Sequence, residues 1–438
     1  MKIAKFQKCN LSDVPFIILI ILSLAINNMQ YVYTVRATTS NIENTGSPSD
    51  NNSSLPKIKD NRLKVELVAR QLSHPTSMSF IDKNNILVRE KNGTISLVTI
   101  GSLQAKRVAE FAVDHAGEDG LLGITTINEV GNISQPTGDS KTEDENKTSV
   151  FLYMTQIENG HYKNRVYAFH WSNGTLVDER LILELPGGPH VQHVGGKLAI
   201  GPDGKLYTAI GDLLYSRGVL QNIKAGPKPD NTSAIIRTNL DGLPPKNNPF
   251  SNISSMRYIF AYGIRNSFGL AFDPITGNLW DTENGPERYD EINIVHPGFN
   301  GGWVLVMGPI SDNIDKSKLV SFPGSKYYDP VFSWYNVVGP TSIEFLKSSK
   351  LGSKYTNNIF VGDYNGGDLY YFELNQSRTG IRFGDVQKGN FVADNSGKLS
   401  EITFGTGFER ITDIKTGPDG FLYILSYDGG KIFRIVPQ

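Results

Sequence analysis

The sequence predicts an all-β fold, a six-bladed β-propeller with four-stranded antiparallel blades. Two observations point there. Helical periodicity is scarce after Asp60, where short apolar strands and glycine-bearing turns dominate. One unit, an apolar strand followed by a Gly turn and often a second strand, then recurs six times. It reads NNILVREKNGTISLV from Asn84, VFLYMTQIENGHYKNRVYAF from Val150, PDGKLYTAIGD from Pro202, TGNLWDTENG from Thr276, NNIFVGDYNGGDLYYFEL from Asn357 and PDGFLYILSYDGGKIFRI from Pro418. The copies lie roughly 55 to 80 residues apart; a blade needs about 40 to 50, so the longer spacings imply loop insertions. A two-domain β-sandwich leaves the sixfold recurrence unexplained.

The segments before this array read differently. Lys2, Lys5 and Lys8 precede the apolar run Val14 to Ile26, so residues 1–37 read as a signal peptide or an N-terminal membrane anchor. Residues 38–60 are rich in Asn, Ser, Thr and Pro and read as a disordered polar linker. Residues 61–438 form the propeller. The single cysteine, Cys9, lies in the leader, so the exported domain has no disulfide and must be held by its core. Asn-x-Ser/Thr sites at Asn92, Asn132, Asn146, Asn173, Asn231, Asn252 and Asn375 suit an extracellular or cell-envelope location. A formal charge of −1 with no basic stripe argues against a nucleic-acid partner.

In a propeller, the loops entering the inner strands build the site at one mouth of the channel. Four such entries are polar. Glu118 and Asp119 precede the apolar run at Leu121, and His190, Gln192 and His193 precede KLAI. Arg265 and Asn266 precede SFGLAF, and Arg410 precedes the last inner strand. A neutral imidazole at such a mouth suits a general base, and an Arg beside an Asn offers a fork of donors to an anion or carbonyl. His190 and His193 without a third ligand make a weak metal pair. The carboxylates and turn carbonyls between Glu283 and Glu291 offer hard oxygen ligands for Ca²⁺, without EF-hand spacing.

Taken together, EDGLLGI, HVGGKLAIGPDGKLYTAIGD, KNNPF, YGIRNSFGLAFDP, TENGPERYDEIN, GFNGGW, VVGPTSIEF and ERITDIKTGPDGFLYIL resemble the glucose/sorbosone dehydrogenase family. Its members include soluble glucose dehydrogenases and aldose sugar dehydrogenases that use pyrroloquinoline quinone (PQQ) and Ca²⁺. The resemblance implies oxidation of an aldose at C1, with His193 as base and Arg265 polarising the quinone carbonyl. It implies cofactor contacts from Glu118, Gln192, Asn266 and Arg410, and from the positions of Asn365 and Thr412. The carbonyls of Gly285 and Pro286 match the cofactor-linked Ca²⁺, and Asp290 and Glu291 the stretch of a second, structural calcium. It further implies a sugar substrate and an external electron acceptor. It also suggests that the glycines around His193 let its loop bend close to a flat cofactor.

The departures concern charge. Asn365 stands where relatives commonly carry Lys, with Asp368 nearby, and Thr412 stands where they often carry a second Arg. Gly301 replaces a Tyr, and Gln192 an Asp found in some relatives. A tricarboxylate needs cations, and Arg217 and Lys224 are the substitutes the sequence suggests. A non-catalytic propeller that binds a glycan or protein partner is the alternative reading. A Ca²⁺-dependent lactonase-type hydrolase is a third, for which no converging carboxylate set is seen.

Overall fold

The computed structural model describes residues 55–129, 147–189, 192–214, 217–311, 313–382 and 391–438. The leader and His190 lie outside the described residues. The described chain forms a β-propeller of six sheets, each containing four strands paired antiparallel in series. The innermost strands are, in order, Pro75–Phe80, Leu121–Glu129, Leu198–Ile200, Ser267–Phe272, Pro340–Phe345 and Ile411–Thr416. Each contacts the next, and the last contacts the first, so the sheets close into a ring.

The six repeated units fall one to a sheet. NNILVREKNGTISLV supplies Asn85–Glu90 and Thr94–Thr99, the second and third strands of the first sheet. PDGKLYTAIGD supplies the second strand of the third sheet, Leu206–Ile210, all five residues of which are buried. Burial on both faces explains why these strands read as short apolar runs rather than alternating ones. The core lies between neighbouring sheets. Trp280 and Trp334 of the fourth sheet, for example, pack with Ile343, Phe345 and Val361 of the fifth.

The ring is fastened by the pairing of its first and last long strands. Leu63–Ala69 pairs antiparallel with Lys431–Pro437, placing Leu63 opposite Pro437 as the outer strand of the last sheet. Residues 55–60, assigned to the linker by composition, belong to the ring instead. Lys57 and Ile58 pair with Thr406 and Gly405, and Asp60 accepts from Tyr355 Oη at 2.8 Å. Two backbone pairings and a buried carboxylate outweigh the polar composition there.

Asp413 sits inside the channel and gathers several inner strands. Its carboxylate accepts from Ser77 Oγ and Met78 N of the first sheet, from Lys197 Nζ at 2.6 Å just before the third, and from Ser342 Oγ of the fifth. Burial alone would raise its pKa. The charges of Lys197 and Lys415, together with the hydrogen bonds from Lys197 and Ser77, outweigh burial and hold the carboxyl well below the usual range.

Removing a charge from such a fully buried pair costs roughly 3–5 kcal/mol. Asp413→Asn is therefore expected to lower the urea midpoint by an equivalent amount; a shift worth under about 1 kcal/mol would refute the central role of Asp413. Because the folded pKa lies below the unfolded one, the wild-type contribution is complete above about pH 4 and is lost as pH falls toward the folded value. Stability of the variant should be flatter across that acidic window.

Candidate active site

A cavity of about 380 Å³ opens where the inner-strand entries meet. Glu118, His193, Asn266 and Gly339, each just before an inner strand, line it. They are tied in series. Glu118 Oε2 accepts from His193 N at 2.7 Å and from Asn266 Nδ2 at 3.1 Å, and Asn266 Oδ1 accepts from Gly195 N at 3.2 Å. One carboxylate thus joins the second, third and fourth sheets.

His193 is buried and has φ of 63°, a left-handed conformation that a side-chain-bearing residue adopts only when its surroundings enforce it. Its Nδ1 lies 2.6 Å from Asp212 Oδ1, and Asp212 Oδ2 accepts from Trp303 Nε1 at 2.8 Å. Burial would raise the Asp212 pKa, but the His193 contact, Leu214 N and Trp303 together hold it below the ordinary value. An ionised acceptor at that distance assigns the proton to Nδ1, leaving the Nε2 lone pair free to accept a proton. The glycines serve close packing around this histidine. A Cβ on Gly211 would lie 2.2 Å from His193 O and 2.6 Å from Arg265 O, and one on Gly196, with φ of 96°, 2.7 Å from Leu122 Cβ. The tight approach they permit is to neighbouring protein, although Gly195 also lines the cavity. Asp212 and Trp303, absent from the predicted set, carry little sequence signal beyond lying near His193 and in GFNGGW.

Arg265 is fixed through its backbone and one guanidinium nitrogen. Its N donates to Glu283 Oε1 at 2.6 Å, Nη1 donates to Asn284 O at 2.7 Å, and the guanidinium lies 5.4 Å from the Trp303 ring centre. Nε is buried without a partner, and burial lowers its pKa. This is a donor held ready for an oxygen.

The predicted metal residues divide. Gly285 and Asp290 line the cavity, while Pro286 is exposed and Glu291 is buried behind it. Asp290 is engaged as a brace. Oδ1 accepts from Gly285 N at 2.8 Å, and Oδ2 from Val338 N and Gly339 N at 2.6 and 2.8 Å, joining the fourth and fifth sheets. Behind it, Glu283 faces Glu291 across the strand pair and Asp281 faces Asn293, all on one side because side chains alternate. Both Asp281 oxygens, Glu283 Oε2 and Asn293 Oδ1 are buried without partners. Burial pushes Asp281 up to about 7 and Glu291 up to about 8, and raises Glu283 well above its ordinary value with help from the neighbouring carboxylates. Such oxygens suit a hard cation. As placed, no three His, Cys, Asp or Glu groups among the described residues surround a common metal position.

The charge around the cavity differs from expectation. Gln192, Asn365 and Thr412 line it, whereas Arg410 is exposed, 4.8 Å from the Tyr364 ring and beside Asp428. An aromatic face and a carboxylate hold Arg410 away from the predicted contact. Asp368 does not line the cavity, nor do Arg217 and Lys224; Lys224 instead donates to Ser317 O at 2.7 Å. The cations that do line it are Arg89, Lys91, Lys197 and Arg265. The cavity is therefore open and charged, unlike the blocked or neutral one that a purely binding propeller predicts. Arg89 carried little signal in the sequence, sitting beside Glu90 at the end of the apolar run in NILVRE.

The sequence profile of the glucose/sorbosone dehydrogenase family matches residues 72–434. The aldose sugar dehydrogenase YliI of Escherichia coli K12 is 25% identical over 386 residues, covering 86% of this chain and 93% of its own. Quinoprotein glucose dehydrogenase B of Acinetobacter calcoaceticus is 30% identical over 293 residues, 60% of this chain and 56% of its own. The PQQ-bound aldose sugar dehydrogenase of Streptomyces coelicolor shares the fold, with a TM-score of 0.63 at 21% identity over 88% of this chain and all of the other.

Gly211→Ala is expected to displace the loops carrying His193 and Arg265 and to cost about 1–3 kcal/mol of stability, the usual penalty of overpacking. A denaturant titration checks it, and an unchanged midpoint would show that this approach tolerates a methyl group.

Proposed function

Because the chain belongs to the glucose/sorbosone dehydrogenase family, we propose that it is a quinoprotein sugar dehydrogenase on a six-bladed propeller, one sheet to a blade. It oxidises an aldose at C1 to the lactone. The observation that carries this reading is the His193–Asp212 pair at 2.6 Å, set in an open cavity beside Arg265. The relatives named quinoprotein and aldose sugar dehydrogenases support the substrate class.

When bound, pyrroloquinoline quinone supplies the two-electron acceptor for the C1 hydride. His193 Nε2 takes the proton of the C1 hydroxyl, with Asp212 keeping the ring in the tautomer that leaves Nε2 basic and stabilising the imidazolium that forms. Arg265 presents N–H groups to an oxygen that gains negative charge, in a site where burial strengthens the interaction. Asn266 and Glu118 hold the His193 loop in register with the fourth sheet. An external acceptor would be needed to take up the electrons. The alternative, a propeller that only binds, leaves this donor and base arrangement without a use.

We place Ca²⁺ at two positions: near the Gly285–Pro286 turn, and beside the Asp281 and Glu283 carboxylates. The partnerless buried oxygens support the second. We also place the protein outside the cytoplasm, on the strength of its leader.

Titrating the protein with PQQ and Ca²⁺, followed optically, and then adding glucose tests the reading. Stoichiometric binding and quinone reduction are expected, and no binding at micromolar PQQ would overturn it. His193→Ala should bind PQQ as tightly as wild type while losing at least about a hundredfold in turnover, the lower end for a general base. In a separate melt, Ca²⁺ should raise the midpoint and a chelator lower it. Identical melts would remove calcium from the proposal.

A further inference from the structure

Arg89 is wholly buried, yet Nε, Nη1 and Nη2 have no hydrogen-bond partner. A buried guanidinium without a partner is expensive, and buried charges are ordinarily paired. The residue sits on the strand Asn85–Glu90, opposite Ser77 of the innermost strand, and lines the cavity.

The nearby carboxylates are committed elsewhere. Glu90 points to the other face of the strand, where it accepts from Ser73 N at 2.7 Å and Ser96 Oγ at 2.6 Å. Asp413 attracts Arg89 through space, but its oxygens are taken by Lys197, Ser77, Met78 and Ser342. Glu118 is taken by His193 and Asn266. What remains is a fork of donors bordering the cavity, beside Thr76 and Thr412, neither of which bears charge.

We propose that Arg89 binds a carboxylate of the quinone cofactor, replacing across the sheet boundary the cation that Thr412 does not provide. The proposal rests on the quinoprotein reading above. A guanidinium matches a carboxylate in two parallel N–H···O bonds, which a point charge such as Lys197 does not reproduce. The two positions adjoin, since Thr412 Oγ1 donates to Pro75 O at 2.8 Å on the innermost strand beside the Arg89 strand. A cation entering from either side of that boundary reaches the same part of the cavity. The sequence has thus moved the charge from the sixth sheet to the first.

The test measures PQQ affinity by optical titration, and apo-protein melting, in the full chain with Ca²⁺ present. Arg89→Gln should weaken PQQ about ten- to hundredfold, the loss expected for one charge-assisted contact. Its apo-protein should melt at or above the wild-type temperature, because an unpaired buried charge is gone. Arg89→Gln combined with Thr412→Arg should regain most of the affinity. If wild type binds PQQ and Arg89→Gln binds equally well, Arg89 is not the carboxylate partner and the quinoprotein reading stands. If Arg89→Gln lowers the apo melting temperature and Thr412→Arg restores no affinity, Arg89 is structural and the proposal fails. If wild type binds no PQQ, both readings fail together.

Discussion

The ion pair between Asp413 and Lys197 organises the channel. A propeller's sheets pack on one another through apolar faces that specify little about rotation around the axis. A charged group on the axis adds direction. Asp413 takes donors from the first and fifth sheets, from the segment leading into the third, and from its own strand at Ile414 N. Burial lowers the Lys197 pKa to about 8, with the Asp413 charge opposing. The Asp413 carboxylate thus supports the charged form of Lys197 against the cost of burying it. The floor of the cavity and the alignment of the ring are one electrostatic arrangement.

Above that floor the active-site groups form a chain of braces. Glu118 links the second, third and fourth sheets, and Asp290 links the fourth to the fifth. Each brace is a carboxylate accepting N–H groups from neighbouring loops, backbone amides at Asp290 and one backbone and one side-chain amide at Glu118, so loops are positioned by sheets other than their own. This rigidity makes a strained His193 backbone sustainable. It also explains why the glycines around His193 are needed for protein contacts first.

Much of this was legible in the sequence because it is local. The six repeated strand units each occupy a different sheet, and polar residues written just before apolar runs converge at one mouth. Glu118, His193, Arg265 and Asn266 were found in that way. What escaped notice depends on pairing across sheets. Trp303 reaches Asp212, the partner of His193, from a distant segment, and Arg410 is drawn to Tyr364 and Asp428. Asp290, placed among metal ligands, is consumed by loop amides. Arg89 stands out only once its neighbours are seen to be committed to others. The carboxylates facing one another at Asp281, Glu283 and Glu291 depend on a strand register that no spacing rule supplies.

The clasp between Leu63–Ala69 and Lys431–Pro437 also fixes an order of events. The first long strand of the ring gains its partner only once Lys431–Pro437 is available. Contacts so far apart in sequence form slowly, because nearly the whole chain must be looped to make them. The last sheet keeps an open edge until that pairing is made. Closure of the ring therefore rests on the contact with the longest loop to close.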